Sequence, residues 1–437
     1  MRKFFFIGIK GAGMSALANI LKSQGEEVTG SDILEHVFTE RKLRENGIEI
    51  KPFSKHNFEE PYDTIICGNA FRADNNEEVA YLEKMGIGYQ HYYDFLAEMT
   101  QGYTSVAVSG THGKTTTTGL LSEVFSDEGV ACLIGDGTGY SAENPDYFLF
   151  EACEYKRHFL AYQPTYLIIT NIEFDHPDYF ADTDDVIDAF TSAAKQTQKT
   201  VVAFGDDLNI KEVRLRAIDI PFITFGFGKE HDYIICNYEK TASGITFSLE
   251  TNNQKLGPFS LPFYGMHMLI NSVATLVIAN LESLDLESSV ERLSKFKGVD
   301  RRFNITLSEK YTFIDDYAHH PTEIIATLNA ARQKFEGQKI IAVFQPHTFS
   351  RTKALEDEFA ESLASSDVIY ITDIFASARE EESSLIPTAL LDKTKGAQHL
   401  EITNVEQLLI HENAVIIFMG AGNIQKYMHK VMELVKK

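Results

Sequence analysis

Residues 109–118 read Ser109-Gly110-Thr111-His112-Gly113-Lys114-Thr115-Thr116-Thr117-Thr118. An apolar run, Val106-Ala107-Val108, precedes them, and Leu120, Leu121, Val124 and Phe125 follow at helical spacing. That order predicts a buried strand, a glycine-rich loop and a helix. Glycines let backbone N–H groups turn inward toward phosphate oxygens, and a helix N-terminus adds unpaired donors and a partial positive charge. Lys114 supplies a cation able to reach terminal phosphates, and the Thr115 hydroxyl can ligate Mg²⁺. The usual G-x-x-x-x-G-K-[ST] pattern would place glycine at 108, where this chain has Val108, so the loop is a variant of the triphosphate-binding kind. Gly110, Thr111, His112, Gly113, Lys114, Thr115 and Thr116 are therefore the expected ATP-binding segment.

A second loop of this type lies nearer the start. Phe4 to Ile9 reads as a buried strand, Gly11-Ala12-Gly13-Met14-Ser15-Ala16 fits G-x-G-x-x-A, and Leu17, Ile20 and Leu21 continue as a helix. The next strand, through Val28, ends at Gly30-Ser31-Asp32. Asp32 follows the glycines by about 20 residues, where a dinucleotide fold places a ribose-binding carboxylate. Any nucleotide diphosphate could sit on the same helix end, so the residues alone leave the ligand open.

The surroundings bound the rest. At 437 residues the chain is too long for a single core. Its net charge of −23 opposes non-specific nucleic-acid binding. It has no long apolar run or signal-peptide pattern, and Phe4-Phe5-Phe6-Ile7 is broken at once by Gly8 and Lys10. Four scattered cysteines (Cys67, Cys132, Cys153, Cys236) form no metal or disulfide framework and suit a reducing cytoplasm.

Further strands end in polar clusters, as an α/β sheet with ligands at the strand ends requires. Tyr147–Phe150 runs into Glu151-Ala152-Cys153-Glu154, and Thr165–Ile172 runs into Glu173-Phe174-Asp175-His176. Glu151, Asp175 and His176 thus fall where Mg²⁺ and phosphates would lie, a carboxylate being the natural ligand of a hard cation. Tyr233–Glu250 alternates apolar and polar residues about Ala242-Ser243-Gly244, which predicts a hairpin. Beyond Gly298, strands at Tyr311–Ile314, Lys339–Phe344, Asp367–Thr372 and Ala414–Met419 alternate with helices. His319 and His320 are adjacent and diverge on most backbones, which makes them a poor metal pair.

Four motifs taken together resemble the Mur ligases of peptidoglycan synthesis: Gly110-Thr-His-Gly-Lys-Thr-Thr116, Glu151 with Glu154, Thr170-Asn-Ile-Glu-Phe-Asp-His176, and Asp315-Asp-Tyr-Ala-His-His-Pro-Thr-Glu323. Gly8-Ile-Lys-Gly-Ala-Gly-Met-Ser15, Arg301-Arg302-Phe303 and Phe344-Gln-Pro-His347 look like the branch that joins L-alanine to UDP-N-acetylmuramate. The resemblance implies an α/β chain of three domains. These are a Rossmann-like UDP-sugar domain (1–100), a central P-loop ATPase domain with a parallel sheet plus a small antiparallel sheet (101–297), and a Rossmann-like C-terminal domain (298–437). It implies ATP and Mg²⁺ as cofactors, UDP-N-acetylmuramate and L-alanine as substrates, a cytoplasmic monomer or weak homodimer, and no nucleic-acid or membrane partner. By the same resemblance, Gly11, Ala12, Gly13, Met14, Ser15, Ser31 and Asp32 hold the UDP sugar, and Thr115, Glu151 and His176 surround Mg²⁺. Asn271, Arg302 and Asp316 meet ATP. His319, His320, His347, Arg351 and Arg379 are candidates for holding alanine or an acyl phosphate. One position departs from the family pattern, which has His-Asn-x-x-Asn before the central-domain helix; here the order is His267-Met268-Leu269-Ile270-Asn271, and Met268 cannot supply the amide. Lys195 reads as a surface helix residue. A tripeptide-recycling ligase and a non-catalytic ATP-binding regulator remain alternative readings.

Overall fold

The computed structural model describes residues 1–252, 254–376 and 386–436. The chain forms two compact units: Met1–Glu173, Asp184–Ile234 and Ser272–Phe296 make the first, and Phe174–Thr183, Ile235–Asn271 and Lys297–Lys437 the second.

The first unit holds both glycine loops, each on its own parallel sheet. The N-terminal sheet has the order Glu49–Pro52, Glu27–Asp32, Lys3–Ile7, Thr64–Cys67, Gln90–His91, all parallel. Its central strand is apolar on both faces, with Phe4, Phe5, Phe6 and Ile7 fully buried, as a sheet covered on both sides demands. The predicted strand to Ile9 stops at Ile7 because Gly8 turns to φ +81°, with Phe71 packed where a Cβ would go. The larger sheet places Thr104–Ser109 between Tyr166–Ile169 and Tyr147–Glu151, with Thr200–Phe204 and Phe222–Gly226 beyond on one side and Val130–Leu133 on the other. These pairs are parallel, and Gly139–Ser141 closes the edge antiparallel. Lys195 ends the helix Thr183–Lys195 and is exposed, as expected.

The hairpin Val130–Ser141 also joins the two halves of this unit. A Cβ on Gly139 would stand 1.8 Å from the carbonyl oxygen of Ala16, so only glycine lets the hairpin seat on the helix Ala12–Ser23. Ser141 N–H donates to Ser23 Oγ at 2.9 Å, and the Lys42 ammonium lies 3.3 Å from Asp136.

In the second unit, Asn304–Leu307 pairs antiparallel with Thr312–Asp316. Val415–Met419, Ile340–Phe344, Val368–Ile371 and Gln398–His399 then follow in parallel order. The four strands read from the sequence are present, each within a residue or two of its predicted ends. Their inward residues, among them Ile314, Ala342, Phe344, Ile371 and Ile417, build one core and Phe313, Ile341, Val343, Tyr370 and Ile416 the other. The strands Tyr233–Thr241 and Gly244–Glu250 flank the predicted turn, and Gly244–Glu250 pairs antiparallel with Lys255–Leu261. No helix among the described residues is long and apolar enough to cross a membrane.

Candidate active site

The second glycine loop leaves the strand Thr104–Ser109 and enters the helix Lys114–Val124. Gly110 has φ +138° and faces Thr170 so closely that a Cβ would stand 2.0 Å from the threonine hydroxyl. Gly113 caps the helix at φ +87°. Both positions therefore require glycine. The neighbouring strand Tyr166–Ile169 stops short of the predicted Ile172, and the freed segment Thr170–Glu173 is stitched to the loop. Thr111 N–H donates to Asn171 O at 3.0 Å and His112 N–H to Asn171 Oδ1 at 2.9 Å. Asn171 Nδ2 and Thr170 Oγ1 donate to His112 O, and Glu173 N–H donates to Thr111 Oγ1 at 2.8 Å. These bonds fix the loop's shape from within the fold, the preorganisation that anion binding needs.

Lys114 folds back into this loop. Its ammonium donates to Gly110 O at 2.5 Å and Thr111 O at 3.1 Å, and lies 2.8 Å from Glu154 Oε2. Burial works against the charge, but Glu154 outweighs it and raises the lysine above its ordinary range. Glu151, at the end of the strand Tyr147–Glu151, accepts the Gly135 N–H at 2.8 Å and adds to the negative potential at Lys114. Thr115 and Thr116 follow Lys114 in the first helical turn. Burial pushes the Cys153 thiol, between these carboxylates, up to about 12, so it is no nucleophile at neutral pH.

At the first glycine loop, Gly11 caps the helix Ala12–Ser23 with no side-chain partner, leaving its end to backbone donors. Gly13 lies against Tyr92, whose hydroxyl would be 2.5 Å from a Cβ. Met14 and Ser15 are buried, and Ser15 Oγ donates to Ala12 O. Asp32 accepts the N–H of Lys10 at 2.6 Å and that of Ile33 at 2.7 Å. Burial raises its pKa, and these N–H bonds work the other way. Ser31 donates to the buried Glu78 at 2.5 Å. Asp32 therefore shapes the loop as well as lying at its mouth, and Ser31 points to a carboxylate that the sequence reading did not single out.

In the second unit the polar clusters converge. Asp175 is held by Arg351, whose Nε and Nη2 both lie 2.9 Å from Oδ1. Burial resists the Asp175 charge, but Arg351 and then His176, His319 and His320 hold the carboxyl far below its usual range. His176 takes φ +57°, with its N–H on Asp175 Oδ1 at 2.7 Å. The His347 Nδ1 lies 3.4 Å from Arg351 Nη1, and its ring stands 6.1 Å from that of His319. His319 Nδ1 is 3.1 Å from Glu323, which also receives Arg302 at 3.3 Å. His320 caps the helix Pro321–Lys334. Asp316 accepts the N–H groups of Phe303 at 2.9 Å and Ala318 at 2.8 Å. Burial raises its carboxyl to about 6 against the pull of Arg302. Tyr317 lies under both guanidinium groups, 4.8 Å from Arg301 and 5.0 Å from Arg302. Arg301, buried and bonded to Gly420 O at 2.6 Å, braces this turn. His267, Met268 and Asn271 lie in the first turns of the helix Met266–Leu281, and burial lowers His267 to about 4. Arg379 lies outside the described residues.

A half-buried lysine in a preshaped glycine loop at the end of a parallel sheet, with carboxylates beside it, has the form of a P-loop class of site. Three successive segments match family descriptions: residues 3–104 the "Mur ligase family, catalytic domain", 108–279 the "Mur ligase middle domain" and 301–422 the "Mur ligase, glutamate ligase domain". The chain belongs to the Mur ligase family and has its three-domain α/β fold. It is similar to the UDP-N-acetylmuramate-alanine ligase MurC from Thermotoga maritima, at 28% identity over 100% of both chains with a TM-score of 0.82. A murein peptide ligase from Psychrobacter arcticus 273-4 shares the fold at 20% identity, over 99% of this chain and 98% of that one, with a TM-score of 0.73. The MurF ligase from Thermotoga maritima, solved in complex with ADP, shares it at 15% identity, over 99% and 96%, with a TM-score of 0.63. Members of the family are ATP-dependent ligases.

Proposed function

We propose that the protein ligates L-alanine to UDP-N-acetylmuramate at the expense of ATP, as a cytoplasmic step of peptidoglycan precursor synthesis. The single observation that carries this reading is the end-to-end likeness to a UDP-N-acetylmuramate-alanine ligase at 28% identity. In the reaction, a lactyl carboxylate oxygen attacks the γ-phosphorus and ADP leaves. The alanine amine then adds to the acyl-phosphate carbonyl, loses a proton, and the tetrahedral intermediate expels phosphate as the amide forms. The first step brings two anions together, so its barrier falls only if cations meet the growing charge.

Lys114 is the residue assigned to the terminal phosphates, with the N–H groups of residues 110–116 around them. Gly11 to Ser15, with Ser31 and Asp32, receive the UDP sugar. The donors assigned to Mg²⁺ are the Thr115 hydroxyl and the Glu151 carboxylate, hard oxygens suited to that ion, with His176 the softer third. The ion supplies charge neutralisation at the phosphates when bound. Asn271, Arg302 and Asp316 are assigned to the nucleotide. His319, His320, His347 and Arg351 are assigned to the acceptor and acyl phosphate, and Arg379 is carried with them. The domains assigned to these tasks are residues 1–100, 101–297 and 298–437, in a monomer or weak homodimer.

A second reading, ligation of a preformed murein tripeptide to the same sugar, is favoured by the full-length likeness to a murein peptide ligase. Phosphate release from MgATP with UDP-N-acetylmuramate, measured separately with L-alanine, glycine, L-serine and tripeptide, separates the two. Turnover that needs both the sugar and L-alanine, with the amide seen by mass spectrometry, supports the first reading. Turnover with tripeptide alone replaces it with the second, and none with any acceptor leaves an ATP-binding regulator.

A further inference from the structure

An ammonium group has three donors. In Lys114 all three are used, on Gly110 O, Thr111 O and Glu154. The first two partners are part of the loop itself. Glu154 is not: it follows the strand Tyr147–Glu151 and meets the lysine from 40 positions along the chain. Its side chain is 4% exposed, and a buried carboxylate persists only when paired. We propose that Glu154 is a latch: it holds the Lys114 ammonium folded into the loop, so that triphosphate binding is an exchange of one anion for another at this lysine. The inference rests on the nucleotide-binding reading of the loop.

The geometry explains why the latch falls to Glu154 and not to the nearby Glu151, whose Oε1 receives the Gly135 N–H at 2.8 Å. For Lys114 to turn toward a bound phosphate, at least one of its three bonds must break. The bond to Glu154 is the one with a charge to give up, and a polyphosphate offers a greater one. Glu154 is thus a positioning residue, acting on the nucleotide through Lys114.

Calorimetric titration of ATP and stopped-flow association into wild type, Glu154→Gln and Glu154→Asp test this, with folding checked by circular dichroism. Glutamine keeps the volume and removes the charge, while aspartate keeps the charge and shortens the reach. The latch predicts that both variants bind ATP more tightly, Glu154→Gln by roughly tenfold and Glu154→Asp by about threefold, with faster association. Tightening in Glu154→Gln with Glu154→Asp unchanged means repulsion at a distance without a latch, and overturns the proposal. Weaker or unaltered binding in both means the pair survives in the bound state, and overturns it too. Should Glu154→Gln fail to fold, Glu154→Asp alone decides the proposal: tighter binding supports the latch, and unaltered or weaker binding overturns it. A wild type that binds no ATP removes the nucleotide reading itself, an outcome distinct from wild-type binding without the predicted shifts.

Discussion

The two glycine loops of the first unit share a local plan: an apolar strand, glycines at the turn, and a helix capped by glycine with no side-chain bond. They differ in where their lysines go. Lys10, in the first loop, turns away: its ammonium sits 3.0 Å from Glu40 and bonds the carbonyls of Ile33 and Glu35. Lys114, in the second, turns inward onto the loop carbonyls and Glu154. The first loop is thus left to backbone donors and a carboxylate, Asp32, whereas the second concentrates positive charge at a helix end. One suits a diphosphate with a hydroxylated sugar beside it; the other suits a triphosphate that must be attacked. Glycine spacing reports that a phosphate can approach, and the lysine's partner reports how much charge it will meet.

The largest effect that tests this division is expected from Lys114→Ala. Ligation should fall by at least about 10³-fold in kcat, while calorimetric affinity for UDP-N-acetylmuramate stays within about twofold. Because the substitution strands Glu154, it also costs about 3–5 kcal/mol of stability in urea unfolding, and Lys114→Ala with Glu154→Gln should recover most of that loss. Parallel loss of sugar binding in the folded double variant would break the division between the loops.

Gly110→Ala and Gly13→Ala sharpen it. Each new methyl meets an atom too close to accept, Thr170 Oγ1 at 2.0 Å and Tyr92 Oη at 2.5 Å. Gly110 must also leave φ +138°. The expected outcome is a KM for ATP raised ~10–100-fold by the first and a KM for the UDP sugar raised to a similar degree by the second, each leaving the other KM near wild type. Crossed effects would show the loops to be one site.

The second unit supplies a contrast of charge states. Asp175 is held ionised by Arg351, whereas burial raises Asp316 to about 6 from an ordinary 3.8. A carboxyl whose folded pKa is raised binds its proton more tightly folded than unfolded, so it withdraws stability as pH climbs from about 4 to about 6. Between pH 4 and 7 this amounts to about 2 kcal/mol. Asp316→Asn should accordingly gain stability relative to wild type across that window, whatever its offset at pH 4; a flat difference in urea midpoints would remove the assignment. The smallest change is expected from Met268→Asn, which restores an amide in the first turn of the helix Met266–Leu281 and should lower the KM for ATP by about threefold.

Much of this was legible in the chain. Periodicity and glycine placement located both loops and the principal strands because a parallel strand buried on both faces is apolar throughout and ends where the backbone must turn. Short edge strands such as Gln90–His91, Gly139–Ser141 and Asn304–Leu307 escaped, since few of their residues are buried and no pattern marks them. The strand predicted over Thr165–Ile172 ended early for a reason no local rule contains: Thr170 and Asn171 bond the loop of a neighbouring strand some 60 positions away. Glu78, Glu40 and Arg301 were likewise missed as supports of the clusters, a buried charged side chain reading like a surface one until its partner is known.

The amino-acid order by itself determined the class of fold, the positions of both glycine turns and the residue types gathered at the strand ends, because these depend on short-range geometry that glycine, β-branched and apolar residues impose locally. Which carboxylate faces which cation was decided by tertiary structure alone. Lys10 with Glu40, Lys114 with Glu154 and Arg351 with Asp175 are separated by 30, 40 and 176 positions, and only packing brings them within about 3 Å. At that distance, and out of water, the partner governs whether a charge is spent within the fold or held for a ligand.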